Sequence, residues 1–147
     1  MPSAAYGAVF FTVILLVVTA YFLMGGLPLL ILKHDVPLDA RFIRGFFNVY
    51  YRASFWAALG ACACFGLWGR LGFAAEAAAI ALVAVLLRQR LLPVMQTLGH
   101  AIEANDETAI RRFRRVHAAA LLITFAQLVL IVWGVIYLSY LSAQAQQ

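Results

Sequence analysis

Apolar residues along this chain come in four long runs, divided by two polar stretches and one very short turn. The runs cover about residues 4–32, 53–69, 71–87 and 117–141. Crossing the hydrocarbon core of a bilayer takes about 20 helical residues, with a range of about 17–25. Each run is therefore read as a transmembrane helix. The two middle runs are short, and the flanking Tyr51 and Phe73 extend them. Near the end of the first run, Gly25-Gly26-Leu27-Pro28 predicts a kink, because proline removes a backbone hydrogen bond. The Arg70-Leu71-Gly72 turn is so short that the helices on either side must form an antiparallel hairpin. The expected fold is an all-α, up-and-down four-helix membrane bundle forming one domain over residues 1–147.

The polar stretches have a helical period of their own. After Asp39, expected to cap a helix, Ile43, Phe46, Phe47 and Tyr50 recur on one face, while Arg41, Arg44, Asn48 and Arg52 occupy another. Leu91, Met95, Leu98 and Ile102 mark a second face. Beyond the turn at Asn105-Asp106-Glu107-Thr108, Ile110, Phe113 and His117 mark a third. Residues 39–52 and 88–116 are thus expected to prolong helices two, three and four on one side of the membrane.

Composition agrees: 65% of residues are hydrophobic and only 12% are charged, against about 45–50% apolar in soluble domains. The net charge of +5 does not imply nucleic acid, since the cations flank apolar runs. Ten of the eleven cations border the first and third connections, with Arg70 alone at the second. The positive-inside rule then puts those two connections in the cytoplasm and both termini outside, as in a bacterial inner-membrane protein. About 17 residues of helix rise cover about 25 Å. Counted inward from the outer ends of helices two and three, that distance stops at Arg52 and Arg88. Together with Arg90, these residues are expected at the lipid interface, reaching phosphates while their stems stay in the apolar layer.

Candidate chemistry lies just below that level, where the count places His117, Gln96 and the Arg44–Asn48 segment at a common depth. Two readings stand: a pocket for the polar head of a lipophilic molecule, with His117 as donor, acceptor or base, or a hydrogen-bonded cluster that ties helices together. Haem held by His100 and His117 is disfavoured, because the two lie about six residues, or about 9 Å, apart in depth. His34, beside Asp35, reads as a solvated loop residue. Glu103, Asp106 and Glu107 lack metal-ligand spacing. Gln127 reads as an interhelical hydrogen-bonding amide, and Glu76 as an acid favoured by the start of helix three. Cys62 and Cys64, two apart on a helix, face different ways and read as packing residues. No nucleotide-binding or nucleophile-elbow motif is present, and no file of polar residues crosses the membrane.

Leu91-Leu92-Pro93-Val94, the run Arg111-Arg112-Phe113-Arg114-Arg115-Val116-His117 and Leu27-Pro28-Leu29-Leu30 together resemble the anthrone-oxygenase-like family of small four-helix membrane proteins. A few fungal members of that family are linked to oxidation of polyketide anthrones, and the resemblance implies His117 as the residue to watch. The leading expectation is a small integral membrane protein that binds a lipophilic molecule or a membrane partner, as a homo-oligomer or within a larger complex. The alternative is an oxygenase-like enzyme acting on an apolar aromatic or quinone-type substrate at the cytosolic mouth. Gly60, Ala61, Gly66 and the residues from Ala74 to Ala81 offer small faces for close helix association.

Overall fold

A computed structural model describes residues 2–31, 37–104 and 106–144. Lys33, His34, Asp35 and Asn105 lie outside the described residues. Four helices account for nearly all the rest: α1 (Pro2–Ile31), α2 (Pro37–Leu67), α3 (Leu71–Glu103) and α4 (Glu107–Gln144). The polar stretches are indeed helical, and they are continuous with the apolar runs. One local expectation changes. Helix α2 begins at Pro37, so Asp39 sits in its first turn and does not cap it; proline is suited to a first helical position because its missing N–H is not needed there. Helix α1 continues through Gly25, Gly26 and Pro28 to Ile31.

The turn between α2 and α3 is Trp68-Gly69-Arg70, two positions earlier than its sequence suggests. Gly69 adopts φ +80°, Arg70 N–H donates to Phe65 O (2.9 Å), and Gly69 N–H donates to Gly66 O (3.0 Å). These are the paired bonds of a Schellman ending, which needs a left-handed residue that glycine supplies without strain. At the other end of the bundle Asp106 starts α4, accepting from the Thr108 backbone N–H (2.8 Å) and hydroxyl (2.6 Å) at one carboxylate oxygen.

Each helix packs on two neighbours, in the cyclic order α1, α2, α3, α4. Neighbours run antiparallel: Gly7 approaches Cys64, Gly60 approaches Phe11 and Gly25 approaches Phe46, while Phe65 stacks on Phe73 and Asn48 meets Arg88. Three helices are long and apolar enough to cross a membrane, over Ser3–Ile31, Leu71–Glu103 and Glu107–Leu141. Helix α2 falls short by that measure because Arg52 leaves only Ala53 to Leu67 as its apolar stretch. It still lies between α1 and α3 along its whole length.

Side-chain size is distributed as lipid solvent demands. The half of the core near the α2–α3 turn is built of small residues, Ala8, Ala57, Ala58, Ala61, Ala77 and Ala81, all buried. Large apolar side chains face outward, among them Phe10, Val17, Tyr21 and Met24 on α1 and Leu122, Phe125 and Trp133 on α4. With lipid outside, helices gain by close backbone approach and lose nothing by exposing leucine or phenylalanine. The opposite half has a bulkier core: Phe22 stacks on Phe46 and Tyr50 (centroids 4.9 and 3.9 Å) and meets Phe47 edge-on (4.9 Å). Ile43, Met95, Ile102 and Phe113 complete it. The three periodic faces read in the polar stretches are the inward faces of this half. The protein is thus an all-α four-helix bundle in which three helices are long and apolar enough to cross a membrane.

Candidate functional site

Helices α2 and α3 present facing polar stripes. On α2, Arg41, Arg44, Asn48 and Arg52 recur every three or four residues, which keeps them on one side of a helix. On α3, Gln89 and Gln96 lie two turns apart, with Arg88 beside Gln89, and all three border the same groove. Between them runs an open groove of about 660 Å³, lined by Arg41, Arg44, Asn48, Arg88, Gln89 and Gln96, with Gly45 and Pro93 in its walls. A second groove of about 450 Å³ shares Arg88 and Gln89 with the first and continues toward the α2–α3 turn. Its walls are Tyr51, Phe55, Trp56, Ala84 and Val85, with Arg52 on the rim. The two grooves adjoin at Arg88 and Gln89: the first is lined by guanidinium and amide groups, and the second sets aromatic and aliphatic side chains beside Arg52, Arg88 and Gln89.

The charges in this cleft are not balanced. Arg41 Nη2 lies 3.5 Å from Glu103 Oε1, and His100 Nδ1 lies 3.3 Å from Glu103 Oε2. Glu103 thus occupies the far corner, where Arg41, Arg44 and Gln96 also border a small cavity. No acidic side chain among the described residues lines the main groove. Arg88 is held in place: its Nε–H donates to Asn48 Oδ1 over 3.1 Å, which fixes the guanidinium plane and leaves its other N–H groups free.

The structure brings Arg44, Asn48 and Gln96 together and sets His117 apart from them. His117 is wholly buried and lies edge-on to the Phe47 ring, centroids 5.3 Å apart, on the other side of the α2 backbone from the groove. The groove and His117 lie on different faces of α2. Phe47 and Asn48 are adjacent on α2, as are Met95 and Gln96 on α3, and neighbours on a helix point about 100° apart. Arg52 and Arg88 border the same slot, in keeping with a shared level. Arg90 is exposed outside this cleft. His100, an exposed residue against Glu103, and the buried His117 face different surroundings.

A second polar group lies in the core and was only partly visible beforehand. The Tyr50 phenol reaches Gln127 Oε1 (3.4 Å), with the hydroxyls of Thr19, Ser54 and Thr124 around it. Thr19 and Thr124 spend their own protons on their helices, donating to Leu15 O (2.7 Å) and Ala120 O (3.0 Å), so their oxygens are left to accept. Gln127 does serve as an interhelical amide, although its Nε2 has no partner among the described residues. Tyr51, on the wall of the slot, likewise has a buried hydroxyl without one. Near the α2–α3 turn, Glu76 faces Gly134 of α4, and its carboxylate borders a cavity of about 30 Å³ that all four helices line. That volume suits a water molecule or two.

Comparison with known proteins finds no matching family model, no matching curated protein and no matching solved structure.

Proposed function

We propose that this chain is an integral membrane protein that holds a lipophilic molecule in the cleft between α2 and α3. The observation that carries this reading is the adjacency of two grooves at Arg88 and Gln89, one lined by arginine and amide groups and the other walled by Tyr51, Phe55, Trp56, Ala84 and Val85. Ligand sites combine a mostly apolar wall with a few convergent polar groups, in volumes of about 300–1,000 Å³. Nine of the described cations lie in the half of the bundle that holds the mouth, and Arg70 stands alone near the opposite end. That asymmetry supports a bacterial inner-membrane location with the mouth on the cytoplasmic side and both termini outside. The oxygenase-like alternative needs space against His117. The complete burial of that residue against Phe47 favours a packing role over a reacting one.

Purification in mild detergent, followed by mass spectrometry of extracted small molecules, tests the proposal. The wild type is expected to carry a lipophilic molecule in near-equimolar amount, and Val85→Trp, which fills the slot, is expected to lose it. Equal retention by both would exclude the cleft as the binding site.

A further inference from the structure

Building on that reading, we infer that the occupant of the cleft is a lipid phosphate, with a phosphomonoester head between Arg44 and Arg88 and its aliphatic chain in the slot walled by Tyr51, Phe55, Trp56, Ala84 and Val85. The argument starts from charge. Glu103 pairs with Arg41 and His100 at the corner of the groove; Arg44 shares a small cavity with Glu103 without pairing to it, and Arg88 and the rim residue Arg52 form no ion pair among the described residues. A phosphomonoester carries about −1.5 to −2 at neutral pH and three strong acceptor oxygens. A zwitterionic phosphodiester brings no net charge and adds an ammonium that the arginines would repel.

Geometry narrows the choice further. Arg44 offers a full guanidinium fork, and Arg88 offers the N–H groups that Asn48 leaves free. Two forks suit a group with several anionic oxygens, because guanidinium binds phosphate in a bidentate manner. The Gln89 and Gln96 amides on α3 supply neutral donors beside them. Asn48 is a positioning residue: it touches no lipid atom in this arrangement and acts by holding the plane of Arg88. The second groove adjoins the first at Arg88 and Gln89 and adds the Tyr51, Phe55, Trp56, Ala84 and Val85 side chains. This adjacency favours a phosphate carried on a chain over free phosphate, which would leave those side chains without a partner.

The test is native mass spectrometry of the full chain in detergent, titrated with a diacylglycerol phosphate, a diacyl phosphocholine or inorganic phosphate. The phosphomonoester lipid is expected to bind one per chain and about tenfold or more tighter than the phosphocholine lipid. Arg44→Gln with Arg88→Gln should erase that preference while leaving the melting temperature within a few degrees. Asn48→Ala should weaken the phosphomonoester alone and leave phosphocholine retention unchanged, which a general loss of packing would not do. Equal affinity for the two lipids, or a preference that survives loss of both arginines, overturns the phosphate assignment while the cleft reading stands. Displacement of the lipid by an equal concentration of inorganic phosphate overturns the lipid source. Binding of either lipid that Val85→Trp leaves unchanged overturns both the assignment and the cleft reading.

Discussion

Two glycines on α2 should respond to the same substitution with opposite signs. Gly45 lies in the open mouth of the cleft, and a Cβ added there has no neighbour within 4 Å. Gly60 lies against α1, and a Cβ there would sit 2.7 Å from Phe11 Cδ1 and Cε1 and 2.8 Å from Cγ. The atoms met belong to the base and one edge of the Phe11 ring, so the whole side chain must shift to make room. Replacing a helical glycine by alanine gains about 0.5–1 kcal/mol through the unfolded chain's lost freedom. Overpacking of this kind costs about 1–3 kcal/mol. Because both sites are interior to one helix, the propensity gain cancels in the comparison, and Gly45→Ala should exceed Gly60→Ala in stability by about 1–3 kcal/mol. Unfolding in mixed detergent, followed by tryptophan fluorescence, measures the difference. Adding Phe11→Leu to Gly60→Ala should recover part of the loss, as contacting residues couple. If both alanine variants were stabilised equally, α1 would not approach α2 at Gly60, and the packing described for that half of the bundle would be wrong.

Three further outcomes follow from the core and the caps. Gln127→Leu should change stability by less than about 1 kcal/mol, because it removes an amide whose Nε2 is unpartnered and leaves Tyr50 its neighbouring hydroxyls; a loss several times larger in the same unfolding assay would give the amide a role not described here. Phe47→Ala should cost about 3–5 kcal/mol, since Phe47 is wholly buried between Phe22, Tyr51 and His117, and a mild effect would mean that this half of the bundle is loosely packed. The Asp106 carboxyl lies below its ordinary 3.8 because it accepts from the Thr108 hydroxyl and then from backbone N–H groups. A depressed folded value gives stability that is present above pH 3.8 and lost as pH falls through the folded value. Amide exchange at the start of α4 should therefore be faster in Asp106→Asn than in wild type at pH 6, and the two should converge in strong acid; a difference independent of pH would remove the carboxylate from the cap.

The sequence revealed the bundle more fully than the site. Periodicity found every inward face of the prolonged helices, because Ile43, Phe47, Tyr50, Met95, Leu98, Ile102 and Phe113 repeat at helical spacing against polar neighbours. Counting residues from the α2–α3 turn put Arg52 and Arg88 at one level, since helix rise is constant. Azimuth was harder to read. Gln96 follows buried Met95, and Asn48 follows buried Phe47, so both already pointed away from the core on which His117 lies. Taking depth alone grouped residues that share a level but not a face. The Tyr50 cluster went unrecognised because its members, Thr19, Ser54 and Thr124, are single hydroxyls on three helices and only packing brings them together. The cleft was half visible as the arginine and asparagine stripe on α2. The short turn already paired α2 with α3, but it does not state which faces of the two helices meet, so the polar residues of α3 were not matched to that stripe.

A photoreactive amino acid placed in living membranes tests the central claim most directly. At Val85, inside the slot, it should capture one predominant lipid species bearing a phosphomonoester. At Leu122, on the outward face of α4, it should capture the bulk lipid mixture. The same mixture at both positions would contradict a cleft that selects its lipid, and would leave α2 and α3 as ordinary membrane-facing helices.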